Sequence, residues 1–142
     1  MPTRTADARW EGNLPDGNGT MSLESGAYEG AFSFRSRFED GAGSNPEELI
    51  AAAHAGCFSM AFSNVLDEEG YEPESVETSA EVTLRMLESG PAITKVHLTS
   101  TASVPRIDED TFQELADAAK SGCPVSKALA GTEITLDATL EG

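Results

Sequence analysis

Hydrophobic and polar positions change period several times along the chain, and each change marks an element. Residues 4–11 alternate weakly, residues 16–19 (Asp-Gly-Asn-Gly) are a strong turn signal, and strands follow around 19–24 and 28–36. After a glycine-rich loop to Ser44, Asn45 is a good N-cap and Pro46 fits the first helical position. Glu48 completes an N-x-x-E capping pattern. That helix carries Leu49–Leu66 and is expected to stop near Gly70. Its middle has small and apolar residues on nearly every side, and a helix apolar all round is buried all round. The period then returns to two. Val76, Ala80, Val82, Leu84 and Met86 share one face of a strand over 75–87, and Val96, Leu98, Ala102 and Val104 share one face over 93–104, with a turn at Gly90-Pro91. Asp108 caps an amphipathic helix ending at Gly122, a short helical segment follows Cys123-Pro124, and residues 132–140 close the chain as a strand. Strands, helix, strands, helices, strand is an α+β order, with helices on antiparallel sheet and a long buried central helix.

Length, 142 residues, suits a single domain spanning 1–142. No apolar run approaches the roughly 18 residues expected of a membrane span and the N-terminus has no signal-like hydrophobic region, so a cytoplasmic location is expected. Charge changes the picture most. Nine basic residues face twenty-five acidic ones for a net −16, and only Lys95, Lys120 and Lys127 are lysines. Such a chain repels nucleic acid and anionic lipid, so neither is an expected partner. The acids are scattered rather than blocked in a tail, which favours adaptation to a salt-loaded cytoplasm over an ordinary acidic surface.

Two cysteines remain as candidate chemistry. In a reducing compartment a structural disulfide is disfavoured, and free cysteines are often buried small hydrophobes. Cys123 precedes Pro124 and so sits at a helix start, where free N–H groups favour a thiolate. Cys57 lies mid-helix in an apolar setting, where desolvation makes it inert unless a cation is delivered. The candidate cations are Arg35 and Arg37, on the strand and loop before the helix, and Glu47 is placed to be their anion. Glu47 also reads simply as a dipole-stabilising acid at a helix start. His54 and Cys57 share a helical face, and Cys123 and Glu47 could complete a metal set, but H-x-x-C alone is a weak zinc signal.

Taken together, Arg37-Phe38-Glu39, Ser44-Asn45-Pro46-Glu47-Glu48-Leu49, Ala53-His54-Ala55-Gly56-Cys57-Phe58-Ser59-Met60 and Gly122-Cys123-Pro124-Val125-Ser126 resemble the OsmC/Ohr family of thiol peroxidases. The match extends from Trp10-Glu11-Gly12 to Glu133-Ile134-Thr135-Leu136, and the arginine just before the central helix is similar to the OsmC branch. The resemblance implies an intertwined homodimer with active sites at the subunit interface. It implies a peroxidatic Cys57, a resolving Cys123, and Arg37 and Glu47 completing the site. It also implies reduction of organic hydroperoxides in preference to hydrogen peroxide; no cofactor or metal is expected, and an external dithiol must reset the pair. An apolar wall of Phe58, Met60 and Phe62 would favour alkyl peroxides. The competing reading is a stress-induced binding or structural protein with passive or metal-holding cysteines.

Overall fold

The computed structural model describes residues 2–141. The chain divides into two compact units, Met1–Leu49 and Ile50–Gly142.

The first unit is built on a three-stranded antiparallel sheet in the order β1-β2-β3, with β1 at Ala6–Glu11, β2 at Asn18–Leu23 and β3 at Glu29–Phe32. The chain reverses at 14–16, and the expected turn residues Asn18 and Gly19 already belong to β2. Gly19 serves packing instead. A Cβ there would lie 2.7 Å from the Trp10 ring and 2.6 Å from the Phe32 ring, and these two rings close over it with centroids 5.4 Å apart. The strand expected over 28–36 ends at Phe32. Ser33 caps a short helix, α1 (Phe34–Phe38), in a reciprocal capping box with Ser36. Local capping outcompetes the alternating pattern there, so Arg35 and Arg37 stand on a helix rather than on a strand and loop.

Helix α2 (Pro46–Glu68) begins where Asn45 and Pro46 place it, with the Asn45 side chain accepting from the Glu48 N–H at 2.7 Å. Glu48 does not close the capping box, because its carboxylate accepts from the Ser44 hydroxyl at 2.6 Å. At the far end Gly70 takes φ +89°, and Tyr71 N–H donates to the Leu66 carbonyl, a glycine-terminated stop.

In the second unit β4 (Ser75–Leu87) and β5 (Gly90–Ser103) form a long antiparallel pair, turning at 88–89 rather than at Gly90-Pro91. Then α3 (Glu109–Gly122) and α4 (Pro124–Ala128) carry the chain back, so that β6 (Glu133–Glu141) pairs with β5 in parallel. The sheet β4-β5-β6 is therefore mixed, not antiparallel throughout. A helical crossover returns the chain to the same end of the sheet, as parallel pairing requires. Asp108 caps α3 as expected, accepting from Thr111 N–H at 3.1 Å and the Thr111 hydroxyl at 2.7 Å. The core joins Phe58, Phe62 and Leu66 of α2, Val96, Leu98 and Ala102 of β5, and Phe112, Leu115, Ala116 and Ala119 of α3. Met86, placed by the alternation on the same face as Val76, Ala80, Val82 and Leu84, lies exposed near the hairpin tip.

Helix α2 is not buried all round. His54, Phe58, Phe62 and Leu66 form one buried stripe at four-residue spacing, while Ala53, Gly56 and Met60 on the opposite side are exposed, Met60 by 77 %. The wall of Phe58, Met60 and Phe62 is thus not a wall. The two phenylalanines are sealed in the core and the methionine points the other way, because residues two apart on a helix diverge. The helix is also, by length and composition alone, apolar enough to cross a membrane, and Leu49–Leu66 holds no Asp, Glu, Lys or Arg. The reading that no run approaches a span is corrected accordingly. The buried stripe packed into the unit's own core identifies α2 as that unit's core helix.

Candidate active site

Within the first unit, Ser36 and Asn45 lock α1 against the start of α2. The Ser36 hydroxyl donates to the Ser44 carbonyl at 2.7 Å, and the Asn45 side-chain amide donates to the Ser36 carbonyl at 2.9 Å. This clamp brings Arg37 onto Glu47. Arg37 Nε and Nη2 donate to the two carboxylate oxygens at 3.0 and 2.9 Å, a bidentate fork in which Glu47 is buried and the Arg37 side chain is 37 % accessible. The guanidinium also lies 5.4 Å from the centre of the Phe38 ring. Of the two candidate arginines, Arg35 is spent on an exposed contact with Glu39 at 3.6 Å, and Arg37 holds Glu47. Glu47 therefore anchors a guanidinium as well as occupying a helix start.

Within the second unit, the start of α4 presents Cys123 to the middle of α2. The two sulfurs, both free thiols, are 2.9 Å apart and share a hydrogen bond. Cys123 is fully buried and Cys57 half-buried. Their environments push them apart. Desolvation, then the hydrogen bond with Cys123, raises the Cys57 thiol above its usual range, against a weaker opposing bond from the Val125 N–H. Desolvation acts on Cys123 in the same direction but is outweighed. Cys57, the Ser126 N–H and hydroxyl and the Val125 N–H all favour its thiolate, so Cys123 titrates below its usual range. The two shifts favour the thiol form at Cys57 and the thiolate form at Cys123. For Cys57 to attack as a thiolate, a cation must reach it.

His54, fully buried on α2, does not face a metal set. Its Nε2 lies 2.8 Å from the Ser126 hydroxyl, and among the described residues no three His, Cys, Asp or Glu side chains converge. Ser126 and the Ser33–Ser36 capping pair carry no sequence signal strong enough to single them out. Ser126 stands three residues after Cys123, as His54 stands three before Cys57, and that spacing is the one hint.

The profile described as OsmC-like protein matches residues 39–138. The chain belongs to the OsmC family. It is 49 % identical over 139 residues to the peroxiredoxin OsmC of Escherichia coli (strain K12), covering 97 % of this chain and 96 % of that one. The organic hydroperoxide resistance protein OhrB of Bacillus subtilis (strain 168) is 38 % identical over 89 residues, 63 % of this chain and 64 % of that protein. The crystal structure of Bacillus subtilis OhrB superposes with a TM-score of 0.68 at 27 % identity, covering 96 % of this chain and 98 % of that one. This OsmC-family chain shares its α+β architecture with that relative.

Proposed function

We propose that this OsmC-family chain is a thiol peroxidase of stress defence that reduces organic hydroperoxides, with Cys57 as the attacking sulfur and Cys123 as the resolving one. The observation that carries the reading is the pair of free sulfurs 2.9 Å apart, close enough to close a disulfide once one of them is oxidised. In the oxidation step the Cys57 thiolate attacks the distal peroxide oxygen, the O–O bond breaks, and the alkoxide leaves as alcohol by taking a proton from solvent, the equivalent of the one Cys57 gave up on ionising. Cys57 becomes a sulfenic acid. Cys123 then attacks that sulfur, the S–O bond breaks, and hydroxide leaves as water with the Cys123 proton, which closes a disulfide before further oxidation can occur. An external dithiol resets the pair.

Arg37 supplies the cation that Cys57 lacks, its guanidinium fixed by Glu47 and free to donate to a thiolate and to a peroxide oxygen. The unit of function is a cytoplasmic homodimer of one peroxidase domain, residues 1–142. The uncovered side of α2 supports it, because Ala53, Gly56 and Met60 form an exposed apolar strip that a second copy of the same strip would cover. The test is substitution of each cysteine. Cys57→Ser abolishes consumption of an alkyl hydroperoxide, and Cys123→Ser allows one turnover and then accumulates sulfenic and higher acids on Cys57, read by intact-protein mass. Full turnover by both variants refutes the assignment.

A further inference from the structure

The second unit contains a polar arrangement that the peroxidase steps above do not use. His54 is fully buried on the core stripe of α2. Its Nε2 meets the Ser126 hydroxyl at 2.8 Å, and its Nδ1 is buried without a hydrogen-bond partner among the described residues. Ser126 is itself buried, on α4, three residues from Cys123. A buried imidazole with one open nitrogen is costly to keep and must be offset by what the other nitrogen does.

We propose that His54 and Ser126 form a positioning relay for the resolving cysteine: His54 Nε2–H donates to Ser126 Oγ, which frees the Ser126 hydroxyl proton to point at Cys123 Sγ. The tautomer follows from donor counting. A hydroxyl carries one proton. Were Ser126 to donate to His54, nothing of its hydroxyl would remain for the sulfur, and the imidazole would carry an orphaned Nδ1–H in the core. With the proton on Nε2, Nδ1 is a bare lone pair and the chain His54 to Ser126 to Cys123 runs in one direction. Burial, which lowers the His54 pKa, keeps the ring neutral, so it acts as a fixed donor and not as a base. Ser126 in turn is one of the groups favouring the Cys123 thiolate.

The relay rests on Cys123 being the resolving residue. It makes that sulfur ready before Cys57 is oxidised. When Cys57 is a sulfenic acid, the aligned Cys123 thiolate forms the S–S bond and the Cys57 S–O bond breaks. Cys123 is oxidised, the sulfenic sulfur is reduced, and the hydroxide leaves as water by taking a proton from solvent, the equivalent of the one Cys123 gave up on ionising. The titratable group in contact with Cys123 is Cys57 on α2, and the charged residues nearest to it in sequence are Lys120 in the last turn of α3 and Lys127 on α4. The two lysines border an open surface pocket shared with Ser126, and neither belongs to the relay.

Two measurements on the full chain test it. In a Cys57→Ser background the ultraviolet absorbance of the Cys123 thiolate is titrated against pH. This reading needs no peroxide and stands whether or not the peroxidase assignment does. His54→Leu and Ser126→Ala should each move the titration to higher pH, and His54→Gln, which keeps a donor at the Nε2 position, should restore it. In the two-cysteine protein, disulfide closure after one equivalent of alkyl hydroperoxide should be about tenfold slower at neutral pH in either variant and no slower in the double variant. An unmoved Cys123 titration in Ser126→Ala, a His54→Gln protein that behaves like His54→Leu, or additive losses in the double variant would each overturn the relay. Should Cys57 fail to react with peroxide while the titration shifts as stated, the relay stands and the peroxidase reading falls.

Discussion

The two halves of the Arg37–Glu47 fork are unequally buried, so removing either one should have unequal consequences. Glu47 is 9 % accessible in its side chain and Arg37 37 %. Replacing Arg37 with Met keeps the aliphatic stem against Phe38 but leaves a carboxylate buried with no counter-charge. A fully enclosed pair broken in this way loses about 3–5 kcal/mol, and a fully exposed pair about 0–1 kcal/mol. Water reaching the guanidinium side of this pair places Arg37→Met between these limits, at about 2 kcal/mol. Glu47→Gln keeps a hydrogen-bonding side chain, and the unpaired arginine can turn into solvent, so the loss should be about 1 kcal/mol or less. Urea unfolding at neutral pH reads both. The activity order should be the same for a separate reason. Arg37→Met removes the cation assigned to Cys57 and should slow its alkylation at neutral pH by about tenfold or more, whereas Glu47→Gln only loosens the arginine and should slow it less. A Glu47→Gln protein less stable than Arg37→Met would refute the burial argument. Unchanged alkylation in a folded Arg37→Met protein would refute the role given to the arginine.

Two further outcomes follow from the core and the surface. Phe62 is fully buried between Phe58 and Phe112, with ring centroids 5.6 and 5.3 Å away, so Phe62→Ala should lower unfolding free energy by about 3–5 kcal/mol, and a loss near zero in urea would show that the α2 stripe is not the core. A dimer of two chains at −16 carries −32, poorly screened at a Debye length of about 30 Å in 0.01 M salt and strongly screened at about 3 Å in 1 M. Melting temperature, dimer fraction by sedimentation and peroxidase activity should therefore rise together with potassium chloride, and a fully active dimer at the lowest salt would end the salt-adaptation reading.

What could be read from the residues, and what could not, divides by the range of the interaction. Asn45-Pro46, Asp108, Gly70 and Cys123-Pro124 mark helix ends through contacts within a few positions, and each end lies where these residues put it. The failures are of two kinds. At Ser33–Ser36 one local signal overrode another, because a capping box closed by serine rather than Glu or Gln is easily taken for strand alternation. Elsewhere the deciding partner is remote. Alternation in 132–140 says which side chains face inward but not which way the strand runs, and β5 decides that. Gly19 looks like a turn residue until Trp10 and Phe32 are seen to close over it.

The candidate site shows the same division in its chemistry. Cys57 was legible as a sulfur needing a cation and Cys123 as one at a helix start, because each inference needs only its own helix. That the sulfurs touch, and that His54 reaches across to Ser126, depends on α2 and α4 meeting across sixty-six and seventy-two positions of sequence respectively. The shared three-residue spacing then acquires a meaning. On α2 it puts His54 one turn before Cys57, and on α4 it puts Ser126 one turn after Cys123. When the two helices meet sulfur to sulfur, the two polar partners meet as well. A substitution that shifts α4 by one residue would separate both contacts at once, so the polar surroundings of Cys123 and its distance from Cys57 are set by a single packing contact.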